Sequence, residues 1–406
     1  MVKDGDSRTL RIITLRRRVR IQAIAIGALS AIMISATPRV IRGAARSTPL
    51  SPRKTFTFWG QSVLKNTFRA FLMSGRGLLA EKAIRVNRRA YYRPGKQPAF
   101  AWSQALELLM LAEATKCDRR YAGTLKDFAT TLQAYWRVGG GVGGFNVLPG
   151  NSGLDRYYDD NEWMTWGFLR AYSATRDTRY LSVARHDFRF VLSGESTALG
   201  GGIFWHEQAK TSKNTCSNAP AVIDALQLFR ITHRREYLRV ARQIYRWTNS
   251  RLLDRRDYLY FDHIDLNGKI NRTKWTYNAG AMLIANCLFY RVTHRSKYLR
   301  RAVRIASSAQ SRWIDPANGA IGGPGVFAWV LLDGFLHLYK ITGNAKWLHL
   351  TRRSLEFLHR HCPTSTGFYG GAWNVKFADT RTVKLINQAC VGGSYFLLAC
   401  NLKSAK

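Results

Sequence analysis

The sequence predicts an all-α fold in which six helical hairpins close into an (α/α)6 toroid. Three observations lead to this prediction: a repeated helix-turn-helix pattern, long Gly-rich connections between the repeats, and a high apolar content. The chain has 406 residues, of which 46% are hydrophobic. A chain of this length and composition can bury a large core.

The repeated pattern consists of an apolar helix ending at a Thr, a polar turn, and a second helix that opens with Tyr or Trp. Five segments show it, at residues 112–128, 171–188, 228–245, 289–306 and 338–355. Their spacing is too long for the roughly 34-residue repeats of common helical solenoids and fits hairpins with long connections. Residues 58–80 and the closing GGSYFLLAC segment predict a sixth hairpin.

The first 48 residues differ from the rest of the chain. A basic segment precedes IQAIAIGALSAIMISATP at residues 21–38, which carries no charged residue. This layout is typical of an export signal or signal anchor, with a basic organelle-targeting peptide as the alternative. We therefore expect an N-terminal signal at 1–48, a toroid domain at 49–406, and a protein that is secreted or associated with the cell envelope.

The composition is strongly basic, with 63 Lys and Arg against 25 Asp and Glu and a formal net charge of +38. Such a charge suits a nucleic acid, an anionic membrane or an acidic polymer. The basic residues are spread along the chain, however, as Arg234, Arg235, Arg239 and Arg242 illustrate. We expect solvated outer faces, an anionic cell-envelope polymer as the candidate partner, no nucleic acid, membrane contact only through the N-terminal segment, and a monomer.

Neither a metal nor a cofactor is predicted. The six cysteines stand far apart without C-x-x-C spacing, and the nine histidines form no ligand pattern. The glycine clusters lack the G-K-[ST] ending of a phosphate-binding loop. An even cysteine count in an exported protein permits disulfides, although the sequence does not pair them.

The long connections should all lie at one end of the toroid, because the short turns all lie at the other. Each connection leads directly into the first, inner helix of the next hairpin. Polar groups at 159–163, 213–218, 276–278 and 322–326 are therefore expected to converge on one mouth, near several helix N-termini.

One of these groups contains two adjacent carboxylates, Asp159 and Asp160, within RYYDDNEWMTWGFLRAY at residues 156–172. A concave mouth that holds two carboxylates and several aromatic residues suits glycoside cleavage, where one carboxyl protonates the leaving oxygen and the other attacks or stabilises the sugar. Trp163, Trp205, Trp275 and Tyr277 could stack on sugar rings. The alternative is that an aspartate only caps the helix that begins near Glu162.

Four ordered motifs resemble family 76 of the glycoside hydrolases: YYDDNEW (157–163), GGGIFW with SKNTCSN (200–218), YFDHID (260–265) and TYNAG (276–280). The resemblance implies an (α/α)6 barrel and an endo-acting α-1,6-mannanase or related mannan transglycosylase. It also implies that Asp159 is the nucleophile and Asp160 the general acid/base of a retaining reaction. The implied residues for binding an α-mannan-type polysaccharide or oligosaccharide are Tyr158, Asn161, Trp163, Trp205, Lys213, Asn214, Asn218, Asp262, Tyr277 and Asn278.

Other functions stay open from the sequence. A non-catalytic helical scaffold that binds carbohydrate or a polyanion would keep the same fold, and a nucleic-acid-binding helical repeat protein would explain the charge. An α/α-barrel hydrolase acting on acidic sugars is a third alternative. The sequence does not distinguish water from a sugar hydroxyl as the acceptor.

Overall fold

The computed structural model describes residues 50–86, 91–150 and 153–402. The apolar segment at 21–38 and the predicted domain limit at residue 48 lie outside these ranges, so both stay predictions. Within the described ranges, no helix is long and apolar enough to span a bilayer. The described part contains twelve α-helices: α1 (Pro52–Phe71), α2 (Ala101–Cys117), α3 (Ala122–Thr131), α4 (Tyr158–Thr175), α5 (Thr178–Ser193), α6 (Ala219–Thr232), α7 (Arg235–Arg251), α8 (Thr276–Thr293), α9 (Ser296–Trp313), α10 (Gly325–Thr342), α11 (Ala345–His361) and α12 (Leu385–Ala399).

The even-numbered helices form a closed inner ring. Each packs against the next, from α2 through α4, α6, α8, α10 and α12, and α12 packs back against α2. The odd-numbered helices form the outer layer, where α1 pairs with α12 and the others follow their inner partners along the chain. This arrangement confirms the predicted (α/α)6 toroid, including the sixth hairpin made by the two ends of the domain.

The two layers differ in how apolar residues are distributed. The inner helix α10 is apolar on nearly every side and is buried almost throughout, whereas the outer helix α7 buries only a stripe that includes Tyr237, Ala241, Ile244 and Tyr245. A helix that is apolar all round must be enclosed, and an amphipathic helix covers a core with one face. The sequence pattern therefore decides which helix of each hairpin lies inside.

The short turns share one structure at four of the hairpins. The last helical Thr donates its hydroxyl to the carbonyl four residues earlier and accepts the amide two residues later, as Thr175 does with Ala171 and Asp177. The next residue is left-handed, at Arg176, His233, His294 and Gly343. A left-handed residue commonly terminates a helix because it lets the chain reverse. The recurring Thr is thus a termination signal.

Within the described residues, ten short strands lie in the long connections and the loop before α2. Three of their four small antiparallel sheets join different connections, so the loops are linked into a rim at one end of the ring. The strands are β1 (Lys82–Arg85), β2 (Tyr92–Pro94), β3 (Trp136–Gly139), β4 (Val142–Phe145), β5 (Ser212–Asn214), β6 (His263–Asp265), β7 (Ile270–Asn271), β8 (Ile321–Pro324), β9 (Ala372–Trp373) and β10 (Thr382–Lys384), in the orders β10-β1-β2, β3-β4, β5-β6-β7 and β8-β9.

Two features fix the inner ring. Arg170 on α4 is nearly buried and forms ion pairs with Glu113 on α2, at 2.9 Å, and with Asp333 on α10, at 2.6 Å. Gly280 on α8 lies against the backbone of α10, where an added Cβ would come within 2.5 Å of the carbonyl carbon of Val330. Glycine is required there because any side chain would push the two helices apart.

Candidate active site

The two aspartates lie in the first turn of α4, at the loop end of the ring. The helix begins at Tyr158 and its N-cap residue is Tyr157, so neither Asp159 nor Asp160 is the N-cap residue. Both carboxyl groups instead face a cavity of about 710 Å³ among the long connections. Neither Lys nor Arg is among the described residues that line it: Phe100, Trp102, Val147, Tyr157, Asp159, Asp160, Trp163, Trp205, Thr211, Ser212, Asn214, Cys216, Asp262, His263, Asp265, Trp275, Tyr277 and Phe327.

Asp159 is held by three hydrogen-bond donors. Its Oδ2 accepts from Trp205 Nε1 at 3.0 Å and from Cys216 Sγ at 3.3 Å. Its Oδ1 accepts the backbone amide of Asp160 at 3.0 Å. Burial raises the pKa of Asp159 to about 6, and these donors limit the rise. Hydrogen bonds to a carboxylate favour its ionised form, so Asp159 is charged at neutral pH.

Asp160 lies in a different electrostatic environment. Burial raises the pKa of Asp160 well above its usual range, and the negative charges of Asp159 and Asp155 raise it further. Two adjacent carboxyl groups titrate as a pair, and the proton resides on the member with less stabilisation of its charge. The pair therefore holds one ionised carboxylate and one carboxylic acid side by side.

Cys216 and Tyr277 extend the hydrogen-bonded chain behind Asp159. Burial raises the pKa of Cys216 well above its usual range, with a further contribution from Asp159, so the sulfur keeps its proton and can donate it. The Tyr277 hydroxyl hydrogen-bonds to the same thiol. Asp159 thus receives an uncharged donor without gaining a positive neighbour.

The backbone around the pair is fixed by contacts between two connections. The amide of Tyr158 donates to the carbonyl of Trp205 at 2.9 Å. Arg156 is fully buried, and its guanidinium binds both carboxylate oxygens of Glu207, at 2.7 and 2.5 Å. A bidentate Arg–carboxylate pair is geometrically specific. Asp159 and its partner Trp205 are therefore positioned by the same pair of loops.

Aromatic side chains form two walls of the cavity. On one side, Trp205 is 38% exposed and meets the ring of Tyr157 edge-on at 5.0 Å. On the other, Tyr277 stacks on Phe327 at 4.1 Å, with Trp102 and Trp275 on the same phenyl ring. Exposed aromatic faces suit the apolar faces of sugar rings, with polar groups between them fixing orientation.

A second pair of carboxylates lies at the rim, with a histidine between them. His263 lies between two carboxylates, with Nδ1 at 3.0 Å from Asp262 and Nε2 at 3.4 Å from Asp265. All three residues line the cavity. Within the described residues, no group of three or more His, Cys, Asp or Glu is arranged to hold a metal ion.

Comparison with known proteins identifies the family. The sequence profile of glycosyl hydrolase family 76 matches residues 91–322, more than half of the chain. The chain belongs to glycosyl hydrolase family 76. The predicted family and the predicted class of enzyme, a glycoside hydrolase, are thereby confirmed.

Three relatives illustrate the similarity. A GH76 α-mannanase of Bacteroides thetaiotaomicron has 28% identity and a TM-score of 0.80, covering 85% of this chain and 95% of its own. An inactive α-1,6-mannanase variant of a Salegentibacter species, in complex with α-1,6-mannotriose, has 25% identity and a TM-score of 0.71, covering 86% and 100%. A mannan endo-1,6-α-mannosidase of Saccharomyces cerevisiae is 25% identical over 183 residues, 41% of this chain. That match spans only 40% of the length of the curated relative.

Seven of the twelve predicted site residues line the cavity of this family 76 member. Five of them come from three of the four loop segments expected to converge, Trp205 and Asp262 lie outside those segments, and Phe327 follows directly after the fourth segment, 322–326. The seven are Asp159, Asp160, Trp163, Trp205, Asn214, Asp262 and Tyr277.

The other five predicted residues lie behind the cavity wall. Lys213 is fully buried, and its ammonium group donates to three backbone carbonyls, of Ser196, Ala198 and Gly201. The amides of Asn161 and Asn218 bind the backbone of β4 and of Ile203. Tyr158 stacks on Phe190, and Asn278 is buried on α8. None of these five side chains lines the cavity, so direct contact between them and sugar stays a prediction.

Glu162 belongs to the same motif as the two aspartates, but its side chain does not line the cavity. It is fully buried, and burial raises its pKa well above the usual range, with further contributions from Asp159 and Asp224. A carboxyl group in this position stays protonated and uncharged. It therefore adds no second negative charge beneath Asp159.

Sequence reasoning missed several lining residues. Cys216 lies inside the SKNTCSN motif, where nothing in the spacing predicts its hydrogen bond to Asp159, and Trp102 and Phe327 lie outside the recognised motifs. Trp102 lies one residue after the start of α2, and Phe327 lies two residues after the start of α10. Because all inner helices begin at the mouth, this position near a helix start was the available signal. His263 and Asp265 lie inside the YFDHID motif, and strand alternation, which places residues i and i+2 on one face, was the available signal that the two side chains lie together.

Proposed function

We propose that this chain is a retaining, endo-acting hydrolase of α-1,6-mannosidic linkages in mannan-type glycans. The observation that carries the proposal is a pair of adjacent carboxyl groups in an aromatic-lined cavity, where Asp159 accepts three hydrogen bonds and burial raises the pKa of Asp160 well above its usual range. The named relatives support the substrate, since one is an α-1,6-mannanase bound to α-1,6-mannotriose. That variant was inactivated by replacing two consecutive aspartates.

In the proposed reaction, ionised Asp159 attacks the anomeric carbon of the mannosyl unit while protonated Asp160 gives its proton to the departing glycosidic oxygen. A covalent glycosyl-enzyme forms. Asp160, now ionised, takes a proton from water, whose oxygen attacks the anomeric carbon and releases Asp159. Two inversions at one carbon give net retention.

The contacts of each aspartate support this division of roles. Trp205 and Cys216 donate to the Asp159 carboxylate and keep it ionised, as a nucleophile must be. Asp160 has no cation nearby among the described residues that line the cavity, so it keeps the proton that a general acid must supply. A retaining pair further predicts a carboxyl separation of about 5–5.5 Å when substrate is bound.

The decisive experiment incubates purified protein with linear, unphosphorylated α-1,6-mannan. We expect short oligosaccharides whose first-formed anomeric configuration, followed by NMR, is the same as in the substrate. Asp159→Asn should lose this activity, and Asp127→Asn, the same chemical change at an exposed outer-helix residue, should keep it. An inverted first product, or full activity in Asp159→Asn, would show that the proposed mechanism is wrong.

The glycosyl-enzyme can also pass its sugar to another sugar hydroxyl, and we propose that both acceptors compete. High concentrations of α-1,6-mannotetraose should then give products longer than the starting oligosaccharide. Complete absence of longer products at every concentration would assign water as the sole acceptor.

We further propose that the segment at 21–38 directs the toroid to the cell envelope or beyond it. Full-length protein should partition to the envelope fraction or the medium of its host. A version lacking residues 1–48 should stay in the cytosol and retain activity on mannan in vitro. Equal distribution of both versions would contradict the proposal.

A further inference from the structure

A second large cavity lies on the outer wall of the ring, between α7 and α9. Its volume is about 640 Å³. Among the described residues, no acidic side chain lines it, and the remaining lining consists mainly of tyrosine, asparagine and serine side chains. We call it the basic cleft, after the six cationic residues that line it: Arg242, Arg246, Arg255, Arg295, Lys297 and Arg301.

Five of these six side chains are exposed, all but Arg301. None of the five forms an ion pair with any residue in the part of the chain that the structure describes. Neighbouring outer arginines do find carboxylates, as Arg256 does with Asp254 and Arg234 with Glu236. The cleft thus gathers like charges that repel one another, and a bound anion would relieve that repulsion.

Arg301 forms the back of the cleft in a fixed position. It is half-buried, and its Nη1 donates to Tyr245 Oη at 3.1 Å and to Asn249 Oδ1 at 2.9 Å. Those partners are themselves held, since Tyr245 donates to Asn286 at 2.7 Å. A guanidinium that is already oriented loses little entropy when it binds an anion.

We propose that the basic cleft binds the phosphate groups of a phosphorylated glycan, at a site separate from the mouth. Arginine forks match the geometry of phosphate oxygens, and several of them together can follow a chain of phosphates. The mouth cannot serve this purpose because carboxylates line it. This inference rests on the proposed function in one respect, that the glycan partner carries mannose.

The aromatic residues of the cleft favour such a ligand over single-stranded nucleic acid. Proteins that bind single strands present aromatic faces on which the bases stack. Here Tyr245 and Tyr298 are only 6% and 8% exposed, and the Arg304 guanidinium covers the ring of Tyr258 at 4.2 Å. The cleft offers charge without stacking surfaces, which suits a polyanion without bases.

The test compares two triple variants of the full chain that remove equal charge. One replaces exposed cleft residues (Arg242→Gln, Arg246→Gln, Arg255→Gln), and the control replaces exposed residues elsewhere (Lys65→Gln, Arg76→Gln, Lys96→Gln). The probe is a mannan that carries phosphodiesters, alongside the same mannan after dephosphorylation. Circular dichroism verifies that both variants fold.

We expect wild-type protein to bind the phosphorylated mannan more tightly than its dephosphorylated form. The cleft variant should lose about tenfold or more in affinity. Its salt dependence should also be shallower, by roughly one unit of log–log slope for each phosphate that the protein no longer neutralises. The control variant should stay within about threefold, as expected for the removal of distant, screened charges.

Three outcomes would overturn the proposal. Equal losses in both variants would show that the charge acts diffusely. Tighter binding of single-stranded RNA through the same arginines would assign a nucleic acid, and tighter binding of phosphatidylglycerol vesicles would assign a lipid surface. Cleavage of unphosphorylated linear mannan is measured in parallel, so failure of the proposed mannanase activity is distinguished from failure of the cleft.

Discussion

The mouth of the ring and the basic cleft on its outer wall are cavities of similar size with opposite charge. Among the described residues, carboxylates and aromatic rings line the mouth without Lys or Arg, while six cations line the cleft without Asp or Glu. The chain has 63 basic and 25 acidic residues, so an even distribution would place several cations in each cavity. The acidic mouth is therefore a local exception to the charge of the whole protein.

The comparison shows which electrostatic effect decides the protonation of the aspartates. A net charge of +38 would favour ionised carboxylates, yet the pKa of both Asp159 and Asp160 is raised. Screening at physiological salt shortens the reach of a surface charge to about 8 Å, whereas burial acts on the group itself. Burial and the neighbouring carboxylate therefore outweigh the distant arginines.

The largest effect should come from removing the proposed nucleophile, Asp159. Asp159→Asn should lower kcat on mannan by about 10⁴-fold or more, as loss of an essential catalytic group does. Binding of α-1,6-mannotriose, followed by calorimetry, should stay within about threefold, since the aromatic walls are intact. A large loss of binding with kcat unchanged would mean that Asp159 only holds the substrate.

A smaller effect should follow removal of the acid. Asp160→Asn should slow mannan cleavage by about 10²–10⁴-fold, the usual contribution of a general acid. An aryl mannoside with an activated leaving group needs no proton and should react far better than mannan in the same variant. Equal losses on both substrates would remove Asp160 from the role of proton donor.

The donors to Asp159 should affect pH dependence more than maximal rate. As the proposed nucleophile, Asp159 must be ionised to react, so activity should fall as the pH drops through its pKa, about 6. Cys216→Ala removes a donor that lowers this pKa, so the acidic limb of the kcat/KM profile should move to higher pH, with less than about a tenfold loss at neutral pH. Cys216→Ser should return the acidic limb of the kcat/KM profile to its wild-type pH. If the acidic limb of Cys216→Ala lies at the same pH as in wild type, Cys216 does not lower the pKa of Asp159.

The smallest effect on catalysis should come from the outer wall. The triple cleft variant should cleave unphosphorylated linear mannan with a kcat/KM within about twofold of wild type, because none of the three replaced residues lines the mouth and salt screens surface charges. Kinetics at low and physiological salt would measure this. A change of tenfold or more in kcat/KM would show that the charges of the cleft act electrostatically on the mouth.

The ring could be predicted from the sequence because its signals are local and repeated. Thr175, Thr232, Thr293 and Thr342 each make the same two hydrogen bonds. A single repeated sequence pattern around these residues therefore predicts four turns. The aspartate pair was also visible, since adjacent residues on a helix start share an environment whatever the distant loops do.

The rest of the site depends on contacts between distant segments, which spacing does not report. Lys213 in a binding motif looks like a ligand group, yet the loop at 196–201 encloses its ammonium. Cys216 reaches Asp159 because the connection between α5 and α6 lies against the start of α4, where the amide of Tyr158 donates to the carbonyl of Trp205. Phe327 joins the aromatic wall of the cavity through stacking on Tyr277, about 50 residues earlier.

The closure of the ring by α12 has a consequence for biosynthesis. This helix packs against α1, α2 and α10, and about 300 residues separate it from α1. At a typical rate of synthesis, the ribosome needs roughly 15–60 s to make the residues between α1 and α12, and the apolar side of α1 stays uncovered during that time. Every nascent chain therefore passes through a stage in which the apolar side of α1 has no α12 to pack against. Ribosome-bound chains stalled before residue 385 should accordingly be far more sensitive to protease than chains released after residue 402.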